Sequence, residues 1–271
     1  MLNELSNLEY HKDTSHISKS GLDLIEKSPA HYFYKYLSGE YQEKSSKALE
    51  IGSAVHCAVL EPERFALQYC AFPDVDRRTK EGKETLAAFY LEHPDKIYLS
   101  SDDFAQCLKV AEAVKANPLA AKLLAQGEAE TTISWQDSQT GVNCKARPDF
   151  VTYVNGSRYI VDLKTTEDAS KHGFSRSAFK YRYHVQAAFY CDGWKACKGE
   201  EVEGFVFIAV EKSAPYLVSL YLYEEQELNY GRACYVSNLL TYAHCLESQT
   251  WPGYSEKVEA LALPEYITKT L

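Results

Sequence analysis

The chain has 271 residues, of which 45% are hydrophobic and 25% are charged, enough apolar material to build one sizeable core. Its formal net charge of -9 excludes a protein that coats nucleic acid indiscriminately, because such binding depends on many Lys and Arg side chains. No apolar run approaches the roughly 20 residues that a transmembrane helix needs, and no signal peptide is recognisable. We therefore expect a cytoplasmic protein with no membrane partner.

Eight cysteines are scattered along the sequence without a CxxC pair. In a cytoplasmic protein this usage indicates reduced thiols that are buried in the core. The last four, Cys191, Cys197, Cys234 and Cys245, lack the tight spacing of ligands to an iron–sulfur cluster. No such cluster is expected.

The first half of the chain is predicted to be mainly helical. Residues 1–16 are polar and expected to be flexible, whereas Ser20 and Asp23 form a capping-box pattern, and Pro29 suits the first position of a further helix. Residues 62–80 are predicted to be irregular. The other helices, predicted from the hydrophobic period and from caps, span 18–28, 48–60, 81–93, 101–116 and 118–126.

After residue 126 the hydrophobic period changes from helical to alternating. Three successive antiparallel strands are predicted, the last two joined by an Asn155-Gly156 turn; they span 130–136, 142–154 and 159–165. A long helix over 174–196, strands over 204–211 and 216–223, and a helix over 224–247 follow. The whole pattern predicts a single α/β domain with a helical portion over 17–126, an α/β core over 127–250 and a tail over 251–271.

Two carboxylates and an ammonium are predicted to converge in this core. Arg147-Pro148-Asp149 is followed, after twelve residues, by Asp162-Leu163-Lys164. A hairpin places Asp149 and Asp162 at neighbouring positions, and the two-residue period of a strand puts Asp162 and Lys164 on one face. A DxK sequence by itself more often forms a salt bridge at a strand end. Because two neighbouring carboxylates repel each other, this arrangement favours a shared hard cation such as Mg²⁺ or Mn²⁺.

Such a centre can hydrolyse a phosphodiester bond. A bound metal lowers the pKa of a water molecule and neutralises charge on the phosphate, while Lys164 orients the nucleophile or stabilises the transition state. On the helix after the DxK strand, Gln186 and Tyr190 lie one turn apart, with Arg182 one turn earlier. One stripe of that helix is therefore predicted to face the site.

The helical portion and the first predicted strand each add a candidate metal ligand. His56 offers a neutral imidazole that can bind the metal or its water, and it follows Gly52 by one turn, where the missing side chain would let another group approach closely. Glu130, on the first predicted strand, offers a further carboxylate.

Four motifs occur together in the sequence: G-x-x-x-H at 52–56, RPD at 147–149, DLKTT at 162–166 and Q-x-x-x-Y at 186–190. In this combination the chain resembles the RecB-like branch of the PD-(D/E)xK nucleases, and within it the RecE (exonuclease VIII) nuclease domain. The likeness spans nearly the whole chain. It implies a restriction-endonuclease-like core in which helices flank a mixed central sheet.

The resemblance also implies an activity. Relatives of this kind are ATP-independent, Mg²⁺-dependent exonucleases, with Mn²⁺ as a substitute, that degrade one strand of linear duplex DNA from 5′ to 3′ and leave a 3′ overhang for a single-strand annealing protein of the RecT type. They form rings, in the RecE branch a tetramer. The metal ligands implied here are His56, Asp149, Asp162 and the carbonyl of Leu163, and Lys164 completes the catalytic set. Gln186 and Tyr190 match the motif that positions substrate or water.

Two other functions are compatible with the same motifs. A structure-specific or restriction-type endonuclease shares the metal site, and a catalytically silent DNA-binding module shares the fold. Two basic clusters are candidates for a DNA track, Arg77, Arg78, Lys80 and Lys83 in one loop and Lys171, Arg176, Lys180 and Arg182 after the DxK strand. Candidates to recognise a 5′ phosphate are Arg64, Arg77 and Arg78.

Overall fold

The computed structural model describes residues 7–42 and 46–262. The α-helices are α1 (Asn7–Lys12), α2 (Lys19–Lys27), α3 (Pro29–Tyr32), α4 (Lys47–Leu60), α5 (Pro62–Gln68), α6 (Lys80–Glu92), α7 (Ser101–Ala116), α8 (Pro118–Leu124), α9 (Lys171–Lys180), α10 (Tyr183–Lys198) and α11 (Glu225–Ser248). A π-helical turn, Phe33–Leu37, follows α3. The strands are β1 (Tyr69–Ala71), β2 (Ile97–Leu99), β3 (Gly127–Ala129), β4 (Ile133–Gln136), β5 (Asn143–Ala146), β6 (Phe150–Val154), β7 (Ser157–Thr166), β8 (Gly204–Glu211) and β9 (Val218–Leu222).

A five-stranded sheet with the order β3-β6-β7-β8-β9 forms the centre of the molecule. Only its β7–β8 pair is parallel, and the crossover that a parallel pair requires is made by α9 and α10. The predicted α/β fold with a mixed central sheet flanked by helices is therefore confirmed.

The alternation of side chains along β7 divides the interior into two hydrophobic cores. Ile160 faces the core built with α10 and α11, whereas Val161 and Leu163 face the core built with α4 and α7. By the same two-residue period, Asp162 and Lys164 lie on the side of Ile160. The side chains of Asp162 and Lys164 therefore face α10.

The predicted strand over 142–154 is wrong in one respect, because it is two strands. Pro148 lacks a backbone N–H and interrupts strand pairing; before it, β5 pairs with β4 in a separate sheet, and after it, β6 joins the central sheet. The three strands are thus not one antiparallel series. The β6–β7 turn is as predicted, since Asn155 and Gly156 both have positive φ, 51° and 89°.

The single helix predicted over 174–196 is also wrong. It is interrupted at Tyr181 and Arg182, and Arg182 adopts the left-handed conformation with φ 55° immediately before α10. Residues 62–80, expected to be irregular, include α5 and β1. Strands of three residues such as β1 are too short to show a hydrophobic period.

The N-terminal segment packs onto the core. Residues 1–6 of the segment expected to be flexible lie outside the described residues, but residues 7–12 form α1 and Tyr10 is 7% exposed. The buried ammonium of Lys145 donates to the carbonyls of Tyr10 and Asp13. These two hydrogen bonds join the segment to β5, while the expected flexibility of residues 1–16 stays a prediction. Within the described part of the chain, no helix is both long and apolar enough to cross a bilayer.

The crossing of α10 and α11 predicts the effect of one substitution. A Cβ at Gly231 would lie 2.2 Å from the carbonyl oxygen of His184, and the backbone there cannot withdraw. Gly231→Ala should lower the free energy of unfolding by about 1–3 kcal/mol. The matched control is Gly52→Ala, also within a helix, where a Cβ meets nothing within 4 Å; it should raise stability by about 0.5–1 kcal/mol. Urea unfolding of both variants measures the change in the free energy of unfolding, which should be negative for Gly231→Ala and positive for Gly52→Ala. Equal changes would contradict the packing of α10 against α11.

Candidate active site

The β6–β7 hairpin sets the position of both aspartates. Phe150 pairs with Val161, so the next pair outward in an antiparallel register is Asp149 with Asp162. The Oδ2 atom of Asp149 accepts a hydrogen bond of 2.8 Å from the backbone N–H of Leu163. This carboxylate is therefore fixed against β7 at the point where β6 begins.

His56 approaches the same carboxylate from α4, on the other face of the sheet. Its Nδ1 atom lies 3.4 Å from Oδ2 of Asp149. Burial lowers the pKa of His56, an effect that Asp149 and a hydrogen bond to the Leu163 backbone only partly oppose. The ring is therefore neutral, the form in which imidazole binds metals.

Glu130 completes a group of three. The sequence placed it on a strand, but it lies between β3 and β4 with φ 52°, and its backbone N–H donates to the carbonyl of Asp149 at 2.9 Å. Burial, and next the charge of Asp149, raise the pKa of Glu130 to about 7. One ligand atom each from His56, Glu130 and Asp149 all lie within 4.8 Å of one another.

This group fits a divalent cation. Two carboxylates held this close repel each other, which is part of the cause of the raised pKa of Glu130, and a cation between them would remove that repulsion. Two carboxylate oxygens and one neutral imidazole are ligands for a divalent cation, with water completing the shell. The backbone of Leu163 hydrogen-bonds both Asp149 and His56. The role of its carbonyl as a metal ligand stays a prediction.

Asp162 is fully buried beside this group but is not a member of it. Its Oδ1 atom accepts a hydrogen bond of 2.5 Å from the Gln186 amide. Its Oδ2 atom forms an ion pair with Lys164 but has no hydrogen bond of good geometry. Burial, followed by the charge of Asp149, raises the pKa of Asp162 to about 7, against the opposing effect of Lys164.

Lys164 remains charged in this setting. Burial alone would lower its pKa, but the charges of Asp162 and Asp149 outweigh that effect and raise the pKa to about 12. Its ammonium also lies 4.8 Å from the centre of the Tyr183 ring. Sequence reasoning missed Tyr183, although its position three residues before Gln186 places it on the same side of α10.

The Gln186 and Tyr190 pair faces the site as expected from its spacing. Gln186 holds Asp162 and also hydrogen-bonds Tyr190, whose pKa is raised well above its ordinary value by burial. Arg182 does not share this stripe, because the left-handed turn precedes α10 and takes its side chain elsewhere. The partners of its guanidinium are Asp23, Glu26 and Asn238.

Two cavities meet at the metal-binding group, sharing Glu130 and Arg147 as lining residues. Arg147, a residue to which the sequence assigned no role, donates from Nε to the Thr132 hydroxyl at 2.8 Å. The first cavity, about 510 Å³, is called the tyrosine cavity because it is lined by Tyr10, Tyr32, Tyr36, Tyr41 and Tyr190. The second, about 550 Å³, is called the α4 cavity because it is lined by Ala48, Leu49, Gly52, Ser53 and His56 of that helix.

The lining of the α4 cavity shows where the structure places Gly52 and the three arginines that are candidates to recognise a 5′ phosphate. No protein group comes within 4 Å of where a Gly52 Cβ would lie, so the close approach expected there is not made by the described chain. Arg64 lines this cavity and pairs with Glu61 at 2.8 Å. Arg77 and Arg78 line neither cavity; they contact Phe72 and Asp76 instead.

The model of a protein family described as a PDDEXK-like domain of unknown function (DUF3799) matches residues 18–264. No protein of curated function matches the sequence. The fold is similar to that of a candidate exonuclease from Eubacterium rectale, with 16% identity, a TM-score of 0.65 and 98% of each chain covered.

Two further structures align less well. A phage-related exonuclease from Haemophilus somnus 129PT has 14% identity and a TM-score of 0.37, with 89% of this chain and 100% of that chain covered. An alkaline exonuclease from Laribacter hongkongensis has 11% identity and a TM-score of 0.27, with coverage of 87% and 93%. The family model, in contrast, spans most of the sequence and the whole of the site. The chain therefore belongs to the family of PDDEXK-like domains.

Proposed function

We propose that this protein is a divalent-metal-dependent deoxyribonuclease that hydrolyses phosphodiester bonds at the ends of linear duplex DNA. The observation that carries the proposal is the group of His56, Glu130 and Asp149, with ligand atoms within 4.8 Å, beside the buried ion pair of Asp162 and Lys164. Membership of the PDDEXK-like family supports it. The similar Eubacterium rectale protein is named a candidate exonuclease, which agrees with an action at chain ends.

Each residue of the site has a part in this reaction. His56, Glu130 and Asp149 would hold the cation, which when bound supplies a water of lowered pKa and neutralises charge on the phosphate. The charged ammonium of Lys164 can orient the attacking water and stabilise the negative charge that develops in the transition state. Gln186 keeps the Asp162 carboxylate, and through it Lys164, in a fixed orientation.

The resemblance to RecE extends the proposal to finer properties. These are dependence on Mg²⁺ without ATP, 5′-to-3′ polarity, a 3′ single-stranded product passed to an annealing protein of the RecT type and a tetrameric ring. The scattered cysteines and the lack of a recognisable signal peptide support a cytoplasmic location. The net charge of -9 is compatible with a ring, because only the lining of a channel needs to be basic and an acidic exterior aids solubility.

The experiment that tests this function is digestion of linear duplex DNA with Mg²⁺ and no ATP. One strand is labelled at its 5′ end, and a circle without nicks is the control. We expect rapid release of the label with the circle intact. Cleavage of the circle would replace the proposal with an endonuclease, and no cleavage of either DNA in Mg²⁺ or Mn²⁺ would replace it with a silent binding module.

Removal of the Lys164 ammonium should abolish activity without unfolding the chain. Lys164→Ala is expected to lower kcat at least about 10²-fold while duplex binding is retained. The fold should survive because Asp162, with a pKa of about 7, can take up a proton when its cation is lost. The matched control, Lys195→Ala, removes an exposed lysine paired with Glu201 and should be silent. Near-normal kcat in Lys164→Ala would refute the role of Lys164.

Metal binding should depend on pH through Glu130. Its pKa rises from an ordinary 4.5 to about 7 on folding. Between these pH values the folded chain retains a proton that the unfolded chain releases. The free energy of unfolding of the metal-free protein therefore falls as pH rises from 4.5 to about 7. A cation must displace that proton below about pH 7. Thermal stabilisation by Mn²⁺ should therefore be larger at pH 8 than at pH 6.

The variant Glu130→Gln should lose most of that stabilisation at both pH values. Its control is Glu128→Gln, two residues earlier on β3 and exposed, which should behave like the unaltered protein. Equal stabilisation by Mn²⁺ in the two variants would exclude Glu130 as a ligand.

A further inference from the structure

The tyrosine cavity leads away from the metal-binding group. Its lining includes Glu130 and Asp149 of that group, and also Lys35 and Tyr41 from the segment after α3. A molecule that fills the cavity would therefore extend from the reacting phosphate to this segment. None of the catalytic roles assigned above requires a cavity at this place.

The charge of the cavity is opposite to that of the chain as a whole. Its lining contains five Lys or Arg residues and three carboxylates, although the net charge of the protein is -9. The carboxylates Glu130 and Asp149 belong to the metal-binding group, and the third, Asp13, lies 3.5 Å from the ammonium of Lys145. Lys19 also faces a carboxylate, that of Asp23 at 2.7 Å. The other basic residues of the lining, Lys12, Lys35 and Arg147, suit it to a ligand that carries negative charge.

Lys35 has an unusual setting in this lining. Its ammonium lies 5.4 Å from the centre of the Tyr36 ring and 5.5 Å from that of Tyr41, so that two aromatic rings flank it. Tyr41 is 40% exposed. A cation beside an exposed aromatic ring offers a phosphate contact and a stacking surface at one place, the combination with which proteins bind unpaired nucleotides.

We propose that the tyrosine cavity binds one unpaired nucleotide of the substrate strand, with its base against Tyr41 and a phosphate at Lys35. The inference rests on the proposed nuclease function and names the part of the substrate that the site takes. A volume of about 510 Å³ is in the range of pockets for small molecules and is far too small for a base-paired duplex. The strand next to the cleaved bond is therefore bound here without its complement.

The test is equilibrium binding of thymidine 5′-monophosphate to the full chain in Mg²⁺, with thymidine and inorganic phosphate as separate probes. We expect the nucleotide to bind more tightly than either probe, and Lys35→Ala and Tyr41→Leu each to weaken it about tenfold. Matched controls are Lys198→Ala, whose ammonium lies 5.7 Å from the Trp194 ring, and Tyr153→Leu, an exposed tyrosine outside the cavity. Both should bind as the unaltered chain does.

Two results would overturn the inference. Binding of phosphate as tight as that of the nucleotide would indicate an anion site with no base contact, and unchanged nucleotide binding in Lys35→Ala and Tyr41→Leu would place the nucleotide elsewhere. Cleavage of a single-stranded oligonucleotide separates this inference from the proposed function. On the linear duplex too, the two variants should raise KM about tenfold with kcat retained. Unchanged KM with normal cleavage of both DNAs refutes the nucleotide site alone, whereas no cleavage of the linear duplex by the unaltered chain refutes the nuclease.

Discussion

The structure of the site depends on the close placement of acidic side chains that water does not reach freely. The register of β6 and β7 puts Asp149 next to Asp162, and Glu130 is brought beside Asp149 by a backbone hydrogen bond. Burial and mutual repulsion together raise the pKa of both Glu130 and Asp162 to about 7. The charged Lys164 offsets part of the electrostatic repulsion at Asp162. The repulsion between Glu130 and Asp149 would be offset by a bound cation.

An interruption of the strands allows residues from both faces of the central sheet to take part in the active site. Pro148 separates β5 from β6, and the left-handed conformation of Glu130 separates β3 from β4. His56 can then reach Asp149 from the α4 side, while Asp162 and Lys164 face α10 on the other side. The two cavities meet at this interruption, with Glu130 and Arg147 lining both.

The parts of the site that are local in sequence could be predicted, and the parts made by distant contacts could not. The Asn155-Gly156 turn and the DxK alternation fix Asp149, Asp162 and Lys164 relative to one another, and helical spacing places Gln186 near Tyr190. Arg182 was predicted to lie on the same stripe of α10 as Gln186, which is wrong. Its left-handed backbone conformation and its contacts with Asp23, Glu26 and Asn238, which are distant in sequence, cannot be read from helical spacing. The tyrosine cavity was not foreseen, since it forms only when the N-terminal segment packs onto β5 and the loop before β6.

The metal site is tested most directly by a crystal structure of the chain grown with Mn²⁺, with anomalous diffraction used to locate the ion. We expect an anomalous peak bound by His56, Glu130 and Asp149, the three side chains whose ligand atoms lie within 4.8 Å of one another. A peak at another cluster, or none at a concentration that supports cleavage, would contradict a metal site at these three residues.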